Sequence, residues 1–459
     1  MLLFALLLAQ IPTPPPVQPP PDLTSPAGSV APSTPAGSAA PSAPAGSAAP
    51  PRPAEPAPPE PQGLSPARLQ QLQAALAREK LDGWLFFDFR GSDPIAYRML
   101  GLDASHGPRS RRWYCYVPAR GQPQKLVHAI EPRSLDGVPG RATTYAAWRV
   151  RDRELGAILR GQKRVAMDYS PRNEIPTVAR ADAGTVELVR SLGPEVVSSA
   201  SLVAELESTL SPDELRSQAR ATGLLAQVIE ATALEAARRV REQAPATERE
   251  LQEFAGQRLR ELGFVDDHPG VQVDAHSADP HYGPGPTGSA TAGKNSLLLL
   301  DYSSRLGNGP HDIYGDLTKV YFLGDRVPDE VARVAAIVFA ARDAAIALLR
   351  RDLENGRYPT GAEVDDAARA VIDKAGYGAQ FIHRTGHSID THGHGDGVNN
   401  DNFETRDTRR HNDNTCFSIE PGIYLPGRFG IRTEVDACIV AGKLEVRGGL
   451  QTEVQALLR

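Results

Sequence analysis

The chain has 459 residues, and its 50 lysines and arginines against 56 aspartates and glutamates give a formal net charge of −6. This mildly acidic balance argues against a general nucleic-acid binder, which needs a basic surface. Hydrophobic residues make up 41% and charged residues 23%, as in an ordinary globular protein. Of the 40 prolines, 19 fall in residues 1–63, so the rest of the chain has normal proline content and a length suited to two domains or one large one.

The N-terminus begins with a short apolar run, MLLFALLLAQ. It is too short to span a bilayer, which takes a helix of roughly 20 residues, so residues 1–10 predict a signal peptide cleaved near Ala9. The run has no Lys or Arg, and a mis-assigned start or an intracellular tail are the alternatives. We therefore expect export to the periplasm or the exterior, with a cytoplasmic location as the alternative and without a transmembrane anchor.

Residues 11–63 are rich in Pro, Ala, Gly and Ser, and a nine-residue unit repeats three times between residues 24 and 50. Such a sequence offers almost no bulky apolar side chain to bury. It predicts a disordered, extended tether.

Two folded regions follow the tether. Ser65 and Pro66 form a helix start, a buried strand is predicted over 84–89, and helices and strands alternate to about residue 210. This pattern predicts a smaller α/β domain over residues 64–210 and a second domain over residues 211–459.

The second domain opens on two capping boxes, at Ser211 and at Thr247. Helices are predicted at about 328–351 and 361–375, followed by a β-rich C-terminus. Nine of the 11 histidines lie between positions 268 and 411, so we expect the chemistry here.

The three cysteines, Cys115, Cys416 and Cys438, are too few for a disulfide framework, and none belongs to a Cys-x-x-Cys pair. We expect all three to be buried small apolar side chains.

Several segments of the second domain place an acid or an imidazole where a strand begins or ends. Oxygen-rich ligands with one imidazole suit divalent ions such as Mn²⁺, Co²⁺, Fe²⁺ or Zn²⁺. Four carboxylates suit two ions about 3.5–4 Å apart, an arrangement that can activate water and hydrolyse an amide. The candidate residues of these segments are Asp301, Asp316, His387, Glu420 and Glu434.

The order of these motifs resembles the pita-bread metallopeptidase family of Xaa-Pro aminopeptidases, prolidases and creatinase-like enzymes. The segments that carry the resemblance are Gly386-His-Ser-Ile389, Ile419-Glu-Pro-Gly-Ile-Tyr424, Ile431-Arg-Thr-Glu434, Tyr314-Gly-Asp-Leu-Thr-Lys319 and Asp279-Pro-His-Tyr282. The resemblance implies an α/β (α+β) fold, with a C-terminal pita-bread catalytic domain preceded by a smaller creatinase-type α/β domain.

The resemblance also implies two divalent metal ions per chain, Mn²⁺ first, with Co²⁺, Zn²⁺ or Fe²⁺ as alternatives. Asp301 would chelate one ion, His387 and Glu420 the other, and Asp316 and Glu434 would bridge them. The remaining roles are implied in the same way: proton transfer for Glu420, contact with the substrate carbonyl for His394, substrate positioning for His281 and His383, and orientation of the carboxylates for Arg432.

The second aspartate is open to an alternative. Asp312 stands 11 residues after Asp301, which is the family's usual spacing, whereas Asp316 stands 15 residues after it. We favour Asp316 because a Leu-Thr strand follows it, and the extra residues fit a turn with Gly307, Gly309 and Pro310.

The implied activity is hydrolysis of the Xaa-Pro bond, in dipeptides or at the N-terminus of peptides, by water activated on the two ions. The implied partners are a peptide with proline in second position and a second copy in a homodimer. The alternatives are a non-catalytic pita-bread binding module and a metal-independent creatinase-like amidinohydrolase.

Overall fold

The computed structural model describes residues 63–103, 110–285 and 287–459. The predicted signal peptide, and the predicted tether up to residue 62, lie outside the described residues. In the part of the chain that the structure describes, we find no helix with the length and apolar character to cross a membrane. Contacts gather the described residues into one compact unit, so a domain boundary near residue 210 stays a prediction.

The N-terminal part folds as a mixed six-stranded sheet with helices, in the order β4-β3-β2-β1-β5-β6. The predicted helix start is confirmed, since the Ser65 side chain accepts a hydrogen bond from the Arg68 N–H. The elements are α1 (Pro66–Arg78), β1 (Gly83–Asp88), α2 (Pro94–Leu100), β2 (Trp113–Pro118), β3 (Gln124–His128), β4 (Arg141–Tyr145), α3 (Trp148–Ile158), β5 (Arg164–Met167), α4 (Ala183–Ser191), β6 (Glu195–Ser198) and α5 (Ala200–Ser208).

The C-terminal part begins with two helices whose capping boxes at Ser211 and Thr247 are confirmed. The two later helices also match their predicted positions within a few residues. The elements are α6 (Pro212–Arg241), α7 (Glu248–Leu262), β7 (Gly270–Val273), β8 (Ser296–Ser304), β9 (Gly315–Leu323), α8 (Asp329–Glu354), α9 (Gly361–Lys374), β10 (Ser388–Ile389), β11 (Thr415–Ile419), β12 (Gly422–Leu425), β13 (Phe429–Arg432), β14 (Val435–Val440), β15 (Lys443–Arg447) and β16 (Gln455–Ala456).

Three sheets of the C-terminal part organise its core, in the orders β16-β9-β8-β7, β10-β11-β14-β15 and β12-β13. Alternate residues of β8 enter two different apolar clusters because successive side chains point to opposite faces of a strand. Leu298 and Leu300 pack with residues of α6 and α7, whereas Leu297 and Leu299 pack with residues of α8 and α9. Asp301 follows Leu297 and Leu299 at the same two-residue spacing, so it lies on the face of the sheet that α8 covers.

The expectation for the cysteines is wrong in part. Cys416 and Cys438 form a disulfide between β11 and β14, where they are register partners in an antiparallel pair. Cys115 is free and buried, as expected. Local sequence does not reveal the pairing, because the two cysteines stand 22 positions apart with a β-hairpin between them, and only the strand register brings them face to face.

Candidate metal centre

Strands β8 and β9 supply the first two acids of the site. The antiparallel register pairs Asp301 with Thr318 and Ser303 with Asp316. These four residues therefore share one face of the sheet, since each pair is two residues from the next. Asp316 is buried, and its backbone N–H donates to both carboxylate oxygens of Asp436 at 3.2 Å.

The other three candidate ligands flank the strands of the neighbouring sheet, and each is tied down through its backbone N–H. The N–H of His387, just before β10, donates to Ser418 Oγ at 3.0 Å. The N–H of Glu420, just after β11, donates to the Thr385 carbonyl at 2.7 Å, and the N–H of Glu434 donates to the Thr318 carbonyl at 3.0 Å. The last of these bonds connects the two sheets at the site.

The five predicted ligands meet in a cleft of about 650 Å³, which they line together with His281, His383 and His394. One ligand atom from each of Asp316, His387 and Glu434 lies within 4.8 Å of the others. His387 Nε2 is 3.3 Å from Glu420 Oε1 and 3.6 Å from Asp316 Oδ2. Asp301 is held beside them by an ion pair with Arg432.

The protonation of His387 shows that this donor set fits a cation. Its Nδ1 lies 3.2 Å from the Ser388 carbonyl, so Nδ1 carries the proton and Nε2 presents a lone pair to the two carboxylates. Burial, and then the charge of Arg384, lowers the pKa of His387 to about 3, so the ring is neutral near pH 7. A neutral imidazole nitrogen beside carboxylate oxygens is a donor set that suits a divalent metal.

The carboxylates also repel one another. The pKa of Asp316 is raised well above its ordinary range, first by burial and then by the charges of Asp301 and Glu420. The pKa of Glu434 is raised in the same way, by burial and then by Asp316. Divalent cations would offset both the burial of these carboxylates and their mutual repulsion.

The sequence assigns no role to two residues that support the site, Thr318 and Asp436. Thr318 Oγ1 donates to Glu434 Oε2 at 2.8 Å and accepts from Arg432 Nε at 3.1 Å. Asp436 is fully buried and accepts from Gln218 Nε2 at 2.7 Å as well as from the Asp316 backbone. Each lies two residues after a predicted ligand, and this period-2 spacing is the signal that could have identified them.

His394 sits against the metal centre, with its ring centroid 4.1 Å from that of His387. Its Nδ1 lies 3.4 Å from Arg384 Nη2, and because arginine only donates, Nδ1 accepts and Nε2 carries the proton. Burial, and then the charges of His387 and Arg384, lowers the pKa of His394 to about 4. Although solvent reaches this ring from the cleft, the neutral form dominates near pH 7.

The other two predicted histidines, His281 and His383, differ in exposure and in the hydrogen bonds of their rings. His281 is exposed and lines the cleft beside Pro280. His383 has both ring nitrogens engaged, Nδ1 by the Arg384 carbonyl and Nε2 by the Tyr424 hydroxyl, each at 2.7 Å. The structure thus places His383 at the cleft wall as a support for Tyr424, and a direct role toward substrate stays a prediction.

Asp312, the alternative to Asp316, lies away from the cleft lining. Its Oδ2 accepts a hydrogen bond from the Gly309 N–H at 2.7 Å, inside the turn between β8 and β9. The four extra residues are therefore taken up in this turn.

A model of metallopeptidase family M24 matches residues 223–441. These residues, a little under half of the chain, are therefore similar to metallopeptidase family M24. Among curated relatives, the Xaa-Pro dipeptidase of Lactobacillus delbrueckii subsp. lactis is 33% identical over 165 residues, which is 36% of this chain and 40% of the relative. The probable dipeptidase PepE of Mycobacterium tuberculosis is 34% identical over 163 residues, 35% of this chain and 38% of the relative. The chain thus matches about two fifths of these relatives' length.

Solved structures show the fold. The dipeptidase PepE of Mycobacterium ulcerans is 22% identical, with a TM-score of 0.58 over 85% of this chain and 97% of that one. A dipeptidase of Pyrococcus horikoshii OT3 is 24% identical, with a TM-score of 0.51 over 85% of this chain and 99% of that one. The predicted fold, a pita-bread domain after a smaller α/β domain, is confirmed.

Proposed function

We propose that this protein is a dinuclear metal-dependent exopeptidase that hydrolyses Xaa-Pro bonds, in dipeptides or at the N-terminus of peptides. The observation that carries the proposal is the convergence of His387 Nε2 with Glu420 Oε1 and Asp316 Oδ2, 3.3 Å and 3.6 Å away, inside an open cleft. The printed names of the relatives, Xaa-Pro dipeptidase and dipeptidase, support a substrate of this class.

Two divalent ions, which we propose to be Mn²⁺, would be held by Asp301, Asp316, His387, Glu420 and Glu434. When bound, they would supply a water of lowered pKa and polarisation of the scissile carbonyl. Asp301 is oriented for this task by its ion pair with Arg432, and Thr318 Oγ1 lies 3.2 Å from its Oδ1.

We propose that Glu420 moves the proton. Ser418 Oγ donates to its Oε1 at 3.1 Å, and the side chain is 15% exposed, toward the cleft. A carboxylate in this position can take a proton from the attacking water and deliver it to the proline nitrogen as that nitrogen leaves.

We propose that His394 binds the substrate carbonyl oxygen. Its Nδ1 accepts from Arg384, so the Nε2–H is available to donate to an oxygen that gains negative charge during the reaction. Because the pKa of His394 is lowered to about 4, this donor stays a neutral imidazole over the neutral pH range.

The direct test uses protein stripped of metal and then reconstituted with Mn²⁺. We expect metal-dependent release of alanine from Ala-Pro, roughly 10-fold or more faster than from the matched control Ala-Ala, which lacks the ring. Equal cleavage of both dipeptides would leave a metallopeptidase without proline specificity. Metal-loaded protein that cleaves neither dipeptide nor a longer Xaa-Pro peptide would favour the binding module.

We also propose that the protein is exported, on the basis of the apolar N-terminus and the Cys416–Cys438 disulfide. Disulfides persist in oxidising compartments and are rare in the cytosol. We expect protein isolated from its natural host to begin after Ala9 and, once unfolded without reductant, to titrate as one thiol, that of Cys115. An intact Met1 together with three titratable thiols would contradict export.

The homodimer is likewise a proposal. The molar mass of the purified protein by light scattering tests it directly.

A further inference from the structure

The wall of the cleft that carries His281 is a long loop between β7 and β8. The described residues of this loop meet at a single buried side chain, that of Glu248. Glu248 is the first residue of α7 and is 0% exposed. A buried carboxylate is costly unless its oxygens accept hydrogen bonds, so its partners indicate what it holds in place.

Glu248 closes the base of the loop. Its Oε1 accepts from the N–H of Val273, the last residue of β7, at 2.7 Å, and its Oε2 accepts from the N–H of Ala290 at 2.8 Å. Its own backbone N–H donates to the Ala290 carbonyl at 2.9 Å. The two ends of the loop are thus bound to one residue.

Glu248 also holds the middle of the loop, next to His281. The hydroxyl of Tyr282 donates to Glu248 Oε2 at 2.6 Å, and His276 Nδ1 lies 2.9 Å from Oε1. The rings of His276 and Tyr282 stack with their centroids 4.2 Å apart. His281 directly precedes Tyr282 in the sequence, so the fixed side chain of Tyr282 restrains the backbone at His281.

The opposite side of the loop is tied to the metal centre. Arg432, which pairs with Asp301, also donates to the Pro280 carbonyl at 3.4 Å. Pro280 and Tyr282, the neighbours of His281 on either side, are thus anchored to two different buried charges. Their positions fix where the backbone of His281 runs along the cleft.

We propose that Glu248 is a positioning residue for substrate binding, which acts by closing this loop and fixing Tyr282 so that His281 faces the cleft. The proposal rests on the proposed function, because it takes His281 to contact substrate. It assigns Glu248 no part in holding metal.

A double-mutant cycle between Tyr282 and His281 tests the proposal. Tyr282→Phe removes one hydrogen bond to a buried carboxylate and keeps the ring, so we expect a rise in KM of roughly 10-fold with kcat and metal content unchanged. If Tyr282 acts through His281, the same change made in His281→Ala should have little further effect. Tyr358→Phe is the matched control, since its hydroxyl bonds to Asp413 away from the cleft, and it should leave KM unchanged.

Additive effects of Tyr282→Phe and His281→Ala would overturn the proposal, as would a well-folded Tyr282→Phe with wild-type KM. Amide hydrogen exchange over residues 274–282 supplies a readout that needs no activity, and it should become faster in Glu248→Gln and in Tyr282→Phe. If Glu248→Gln does not fold, the KM and the hydrogen exchange of Tyr282→Phe still test the proposal. Wild-type protein that cleaves no Xaa-Pro substrate would overturn the proposed function, and unchanged exchange would separately overturn the role of Glu248.

Discussion

Replacing His387 with alanine should abolish bound metal and peptidase activity together. His387 supplies the only imidazole among the five predicted ligands. Its Nε2 lies within 3.6 Å of a carboxylate oxygen of Asp316 and one of Glu420. Without it, the second ion would depend on carboxylates alone. Metal analysis of the purified variant, beside Ala-Pro hydrolysis, measures both effects.

His394→Ala is the matched variant, because the two rings lie side by side in the same cleft. It should keep its metal and lose roughly 10²-fold or more in kcat, since it removes a hydrogen bond to the developing oxyanion. If His394→Ala lost metal and His387→Ala kept it, the roles of the two histidines would be exchanged.

Asp316→Asn should abolish activity, leave fewer than two ions per chain, and yet stabilise the metal-free protein. The pKa of Asp316 is raised by burial and by neighbouring carboxylates, so its ionisation opposes folding as the pH rises above its ordinary pKa of 3.8. Removing the ionisable group should raise the Tm of metal-free protein at pH 7, by roughly 1 °C for each kcal/mol gained, because the entropy of unfolding grows with chain length. The gain should shrink as the pH falls toward 3.8 and disappear roughly one pH unit below it, where the carboxyl is protonated in both states.

Asp312→Asn is the control for this prediction. Its carboxylate accepts only a local bond from Gly309, so activity, metal content and metal-free Tm should stay near the wild-type values. An inactive, metal-poor Asp312→Asn beside an active Asp316→Asn would show that the acid of the turn, and not the acid of the strand, binds metal. Differential scanning fluorimetry with and without Mn²⁺ gives the stabilities.

The sequence by itself determined the helix starts of both regions. Ser65, Ser211 and Thr247 were identified correctly because a cap depends only on hydrogen bonds within three residues. The candidate ligands were also visible, because each stands at the end of an apolar strand or in a short motif. Local patterns of this kind need no knowledge of what the chain packs against.

The tertiary structure decided what depends on strand register and on long-range contacts. The spacing from Asp301 fits Asp312, but the pairing of Ser303 with Asp316 brings the later acid into the cleft and leaves the earlier one in the turn. The same kind of register places Cys416 opposite Cys438. Glu248 resembles any first-turn acid in the sequence, and only folding buries it under the loop of His281. A change of partner by one residue reverses the face on which a side chain lies, so such assignments follow from the assembled sheets and not from local sequence.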